Sequence, residues 1–180
     1  MLISIIGNSA ESLLNFRSSL IRRLTKRGHS VAAFAPDFDV RTRAEVARLD
    51  VRTFDFPLSR GGTNPYSDFR TIIALRNALI DLKPDANLSY FVKPAIYGNL
   101  AASLARVPRR VVMLEGLGYG FAEGDGASYR RKIIGIALKG MLKWSLANAH
   151  HTLVLNEDDR DTLVREVGAA GDRIENMGGI

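Results

Sequence analysis

Apolar and polar positions along this chain alternate between short continuous runs and helical spacing, and that alternation predicts its elements. Leu2 to Ile6 is an apolar run of strand length, and Gly7-Asn8-Ser9 turns it into a helix. Asn8 is the expected cap, with Glu11 three residues on as the second half of a capping box. Leu13, Phe16, Leu20 and Leu24 then repeat at helical spacing until Gly28 stops the helix. Val31 to Ala35 reads as a second strand, Arg41 to Leu49 as a short helix and Val51 to Phe56 as a third strand. The segment from Pro57 to Pro65 is dense in turn residues. A helix from Tyr66 to Leu82 places Ile72, Leu75, Leu79 and Leu82 on one face. Asn87 to Phe91 is the fourth strand, and Lys93-Pro94 opens a helix to Ala105 with Pro94 at its first position. Arg110 to Leu114 is the fifth strand, and Ala127 to Asn148 is the longest helix. Thr152 to Leu155, a helix from Glu157 to Val167, and a start of strand at Ile174 to Met177 complete the pattern.

Strands separated by helices cannot pair antiparallel through tight turns. They build a parallel sheet, because parallel neighbours need a crossover helix. The predicted fold is therefore α/β, a Rossmann-like open parallel sheet of six to seven strands with helices on both faces. Residues 1–177 form one domain in this reading, and Gly178-Gly179 begins a linker (178–180) to a further domain.

Composition narrows the chemistry. The chain has 180 residues, 46% hydrophobic and 24% charged, which suits one globular core. With no cysteine, disulfides, thiolate catalysis and cysteine-built zinc sites are excluded. Met1 to Ile6 is too short for a secretory core before the glycine turn, and no run approaches the length of a spanning helix. A net charge of +6 favours an anionic partner, such as nucleic acid, acidic lipid or a phosphorylated small molecule. Nucleic acid is the least favoured, because the basic residues are not interleaved with stacking aromatics.

The candidate site lies where strands end. In an open parallel sheet, ligands bind beyond the carboxyl ends of the strands. Glu115 ends the fifth strand and opens a loop with glycine at 116, 118 and 120, where a ligand can approach the main chain. The alternative is a tight turn whose glycines serve geometry alone. Arg60 follows the third strand and Lys93 the fourth, so both cations are expected to face the crevice that receives Glu115. Gly7 and Asn8 begin a helix whose amides attract anions, although G-x-G-x-x-G and the Walker lysine motif are both absent. His29, His150 and His151 are not spaced as metal ligands. The 127–149 helix carries Arg130, Arg131, Lys132, Lys139 and Lys143 and no acid, which suits an anionic membrane surface as well as a wet helix face.

These residues resemble a known family. Asn15-Phe16-Arg17, Leu20, Leu24 and Gly28-His29-Ser30-Val31, with Ala35-Pro36, resemble the first β-α-β unit of family-four glycosyltransferases. Ser59 to Pro65, Lys93 to Gly98 and Glu115 to Phe121 are similar to motifs of the branch that builds capsule, exopolysaccharide and O-antigen units on a lipid carrier. The resemblance implies a GT-B architecture, of which this chain is the amino-terminal, acceptor-binding half, and transfer without a metal or other cofactor. A nucleotide sugar, expected to be UDP-linked, is the co-substrate, held by a carboxyl-terminal half. A lipid-linked saccharide is the acceptor, and the inner face of the cytoplasmic membrane is the place of work. Glu115 becomes the catalytic candidate, and it stands where many relatives carry a histidine. Gly7, Asn8, Arg60, Asn64, Lys93, Tyr97, Gly116, Leu117, Gly118 and Tyr119 become substrate-binding candidates. The rival reading is a non-catalytic Rossmann-like module that binds a nucleotide or phosphorylated ligand.

Overall fold

The computed structural model describes residues 1–59, 64–117 and 129–178, with the backbone alone at 129–135 and 137. Seven strands form one parallel sheet: β1 (Leu2–Ile6), β2 (Ser30–Ala35), β3 (Val51–Asp55), β4 (Ala86–Tyr90), β5 (Arg109–Leu114), β6 (His151–Val154) and β7 (Ile174–Asn176). Their order across the sheet is β3-β2-β1-β4-β5-β6-β7. The chain thus works outward from β1 to β3, then returns to the other side of β1 and works outward to β7. The order reverses between β1 and β4, which pair with Ile3 opposite Ala86 and Ile6 opposite Ser89. At such a reversal the loops leaving the two strands diverge and open a crevice.

Side chains alternate across each strand and build the two faces. Ile5, Val31, Ala33 and Ala35 pack with Ala10, Leu13, Ile21, Val46 and Tyr90 on one face. There the covering elements are α1 (Ala10–Ser12), α2 (Ser18–Lys26) and α3 (Val40–Ala47). Ile6, Ala32 and Phe34 pack on the other face against Leu75 and Leu79 of α4 (Pro65–Leu82) and Ala101 of α5 (Val92–Leu104). Val112, Leu114 and Val154 extend that layer under α5 and α6 (Tyr129–Ala147). α7 (Glu157–Thr162) and a π-helical turn at Leu163–Val167 close the edge. Inside the layer, Asn99 of α5 donates to the Ser145 carbonyl at 2.6 Å, and Ser145 donates to the Ala95 carbonyl at 2.9 Å. These buried polar bonds fix α6 against α5.

Two expectations about the first helix are corrected. Ser9, not Asn8, is the cap: its backbone is extended and its hydroxyl accepts from the Ser12 amide. Glu11 is one residue too early to answer it, and pairs instead with Arg41 of α3. The inward face is also different. A π-helical turn at Leu13–Arg17 separates α1 from α2 and widens the coil. The buried positions become Leu13, Arg17 and Ile21, while Phe16 is 58% exposed and Leu20 is 37% exposed. At α5 the helix begins at Val92, so Pro94 stands at its third position, where its missing N–H is still one of the unpaired first-turn donors.

Candidate functional site

Gly7 follows β1 and is held for a steric reason. A Cβ at this position would lie 2.3 Å from the Tyr90 hydroxyl and 2.5 Å from ring carbon Cζ. The Gly7 amide donates to the Phe34 carbonyl at 3.0 Å, so the expected role of this amide as an anion donor is corrected. The start of α1 already has its anion: the Asp37 carboxylate, just past β2, accepts from the Ala10 amide at 2.7 Å. Asn8 faces the crevice mouth with Leu58, Phe91, Val92, Lys93 and Pro94, around a depression of about 210 Å³. Its Oδ1 is buried with no hydrogen-bond partner.

Tyr90 ends β4 and is completely buried. Its hydroxyl shares a hydrogen bond with Ser12 Oγ at 2.9 Å. Burial pushes the phenol up to about 12, so it stays protonated at neutral pH. The Arg17 guanidinium stacks on its ring, 4.4 Å from the centroid. Arg17 also forms an ion pair with Glu115, their side chains 6% and 12% exposed. Its remaining contacts are neutral: the Phe16 carbonyl at 2.9 Å and Met113 Sδ at 3.3 Å. Nε has no partner. Desolvation lowers the Arg17 pKa, but a guanidinium keeps its charge in any protein setting. Strands β1, β4 and β5 are neighbours, so Gly7, Phe91 and Glu115 leave adjacent strand ends.

The backbone turns sharply after Tyr90. Phe91 has φ 65° and ψ 153°, a conformation that side chains avoid at a cost of about 1–3 kcal/mol. Contacts to Tyr90 at 5.3 Å and edge-on to Phe16 at 6.4 Å hold its ring. Two residues later Lys93 Nζ donates to the Ser59 carbonyl at 2.6 Å and lies 3.8 Å from Asp68 of α4. Lys93 therefore ties the β3–α4 connection to the start of α5. Tyr97 is 2% exposed and packs in the core. Burial, followed by the neighbouring Asp68 carboxylate, pushes its phenol above the usual range. As a core residue it does not line the crevice surface.

Asn64 caps α4, accepting from the Tyr66 amide at 3.1 Å and the Ser67 amide at 3.4 Å. Gly116 takes φ +83°, which explains glycine directly after Glu115. Leu117 is buried and its amide donates to Asp159 Oδ1 at 3.3 Å, so it anchors the loop from inside. Arg60, Gly118 and Tyr119 lie outside the described residues, as do the predicted first two residues of the long helix. The structure thus brings Gly7, Asn8, Lys93 and Glu115 to neighbouring strand ends and assigns Asn64, Tyr97 and Leu117 to capping and packing. Among the described residues, no group of three His, Asp or Glu side chains comes together in a way that could hold a metal ion.

Sequence reasoning missed Arg17, Tyr90 and Asp37. Arg17 stands in the Asn15-Phe16-Arg17 motif without a role there, and its inward side shows only as the middle of a four-residue spacing, Leu13, Arg17 and Ile21, that competes with the apolar stripe through Phe16 and Leu20.

A parallel sheet whose strand order reverses between β1 and β4, with a crevice at that reversal, defines a Rossmann-like α/β unit. The chain matches the glycosyl transferase 4-like domain over residues 16–177 and belongs to that family. It is 25% identical over 174 residues to N,N'-diacetylbacillosaminyl-diphospho-undecaprenol alpha-1,3-N-acetylgalactosaminyltransferase of Campylobacter jejuni subsp. jejuni serotype O:2. That match covers 97% of this chain and 45% of the relative, so the chain spans less than half the relative's length. Among solved structures, MurG of Acinetobacter baumannii superposes with a TM-score of 0.60 at 13% identity, covering 99% of this chain and 45% of that one. UDP-GlcNAc 2-epimerase from Neisseria meningitidis, solved with UDP-GlcNAc bound, gives 0.65 at 13% identity, covering 99% and 47%. At such identities the likeness concerns the fold.

Proposed function

We propose that this chain is the acceptor-binding half of a glycosyltransferase that moves a sugar from a nucleotide-sugar donor to a lipid-linked saccharide in surface polysaccharide biosynthesis. The observation that carries this reading is the family match over 16–177, in a unit that spans 45% of a lipid-linked-saccharide transferase and sets Glu115 just beyond β5, beside the strand ends that line the crevice. That relative's name gives a diphospho-undecaprenol-linked saccharide as acceptor and N-acetylgalactosamine as the group transferred.

In this reading the strand ends form one wall of a cleft, and a carboxyl-terminal half beyond residue 177 brings the donor, expected to be UDP-linked, to the other. The acceptor hydroxyl attacks the anomeric carbon, the bond to the diphosphate breaks, and the nucleoside diphosphate leaves, taking up the hydroxyl's proton. Glu115 accepts a hydrogen bond from that hydroxyl and aims it. Fixing two reactants in this way supplies on the order of 7–11 kcal/mol in favourable cases. Family resemblance leads us to expect transfer in the presence of a chelator.

We place the protein on the inner face of the cytoplasmic membrane. No helix among the described residues is long and apolar enough to cross a membrane. On α6, Ile136 is 72% exposed and Trp144 is 55% exposed, and Lys143 lies on the exposed side with them. An exposed aromatic and aliphatic pair beside basic residues suits a surface of anionic lipid.

The test is sugar transfer by the full gene product, with labelled UDP-sugars and a pool of undecaprenyl-diphosphate-linked saccharides. Labelled lipid-linked product is expected with the full product and none with residues 1–180 alone. No transfer by the full product with any donor and acceptor pair would remove the proposal.

A further inference from the structure

We propose that Arg17 is a positioning residue: its buried guanidinium fixes the Glu115 carboxylate just beyond the end of β5 and so sets how the acceptor hydroxyl is held. This rests on the acceptor-half reading above and deepens it. Three observations converge on it.

The first is the burial of the charge. Arg17 is 5% exposed, and its Nε is left without a partner. An apolar side chain of similar volume would cover Tyr90 and Met113 without that desolvation cost, so stability alone gives weak grounds for an arginine here. The second is the π-helical turn at Leu13–Arg17, which brings residue 17 onto the sheet side of the helix. Single π-turns inside helices recur at functional sites. The third is the partner set. Arg17 meets a carbonyl, a thioether and an aromatic face, and the anion it pairs with is Glu115. Just beyond that carboxylate stands Gly116, at φ +83° and with no side chain of its own to pack against it. Arg17 therefore does for Glu115 what packing does for Leu117 on the far side of Gly116.

The experiment compares wild type, Arg17→Met, Arg17→Lys, Glu115→Gln and the Arg17→Met/Glu115→Gln double variant of the full gene product. Each is measured for kcat, for donor and acceptor KM, and for Tm. Misplacement of a reacting group by about 1 Å costs on the order of 100-fold, so Arg17→Met should lower kcat by roughly 30- to 100-fold with donor KM within about twofold. The double variant should be no slower than the slower single, because the two residues act as one unit. Arg17→Lys should recover part of the loss. A purely structural Arg17 would lower Tm and leave kcat per folded molecule intact, and an Arg17 acting independently of Glu115 would multiply its loss with that of Glu115→Gln; either pattern overturns the inference. Should Arg17→Met not fold, Arg17→Lys carries the test: reduced kcat near the wild-type Tm supports the inference and full turnover overturns it. Wild type without transfer removes the proposed function and this inference with it, whereas wild-type transfer with undiminished Arg17 variants removes this inference alone.

Discussion

Gly7→Ala is the sharpest single perturbation of the crevice. The new methyl would meet the Tyr90 ring at 2.3 Å from Oη, 2.5 Å from Cζ and 2.8 Å from Cε1, all inside any real van der Waals contact. Relief would have to come from the ring, and the ring is confined. It has no exposed surface, its hydroxyl is bonded to Ser12, and the Arg17 guanidinium lies across its face. Overpacking of this kind costs about 1–3 kcal/mol, and a confined neighbour puts Gly7→Ala at the upper end. For a domain of this size that corresponds to a fall in Tm of roughly 6–12 °C, measured by circular dichroism or calorimetry. Adding Tyr90→Phe removes only the nearest atom and leaves Cζ at 2.5 Å, so it should rescue little. Gly140→Ala is the control: it lies on an exposed face of α6 with nothing within 4 Å of a new Cβ, and should gain about 0.5–1 kcal/mol. A Gly7→Ala protein that melts with wild type would refute the close approach of Tyr90 to the first loop.

Further outcomes follow from the same contacts. The Tyr90 phenol is raised by burial to about 12, above its value in an unfolded chain. Its contribution to stability is therefore complete below about pH 10 and lost as pH rises toward 12, on the order of 2–3 kcal/mol. Urea midpoints should fall less over that window in Tyr90→Phe than in wild type, and equal slopes would contradict the buried phenol. Asn64→Ala removes the acceptor for two α4 amides and should cost about 1 kcal/mol in urea unfolding, with no loss pointing away from a cap. Trp144 is the single tryptophan and is 55% exposed, so its emission should shift to the blue with anionic vesicles and recover at high salt. Emission indifferent to vesicles would make α6 only a cover for the sheet.

The sheet was legible because β1, β2 and the end of β5 are short, nearly unbroken apolar runs followed by a glycine or proline turn or a strand-ending Glu115-Gly116, and runs of that kind need burial on both faces. Ile5 and Ile6 illustrate it: adjacent in sequence, they fill opposite cores. The first helix was less legible. Leu13, Phe16, Leu20 and Leu24 obey the period of an α-helix, but the π-turn at Leu13–Arg17 changes that period, and a period shift leaves no mark in the residue types. Glu115 could be placed at a strand end because strand and loop are local features. Its partner could not, because Arg17 lies 98 residues away and an arginine on a helix reads as a wet surface charge. Lys93 shows the converse. It follows β4, and its ammonium serves the Ser59 carbonyl and Asp68, a use that depends on how α4 and α5 pack together. Tyr97 was drawn toward the site by a motif, while its 2% exposure makes it part of the packing beneath.

Calorimetric titration of residues 1–180 with the two substrate classes asks whether this half holds the acceptor. Undecaprenyl-diphosphate-linked saccharide in nanodiscs should bind saturably and more weakly to Glu115→Gln, while UDP-sugars should give no measurable heat. The start of α1 is already occupied by Asp37, and Gly7 has spent its amide on Phe34, so the first loop offers a diphosphate little. Saturable UDP-sugar binding with no response to the lipid-linked saccharide would assign the donor to this half and overturn the acceptor-binding role.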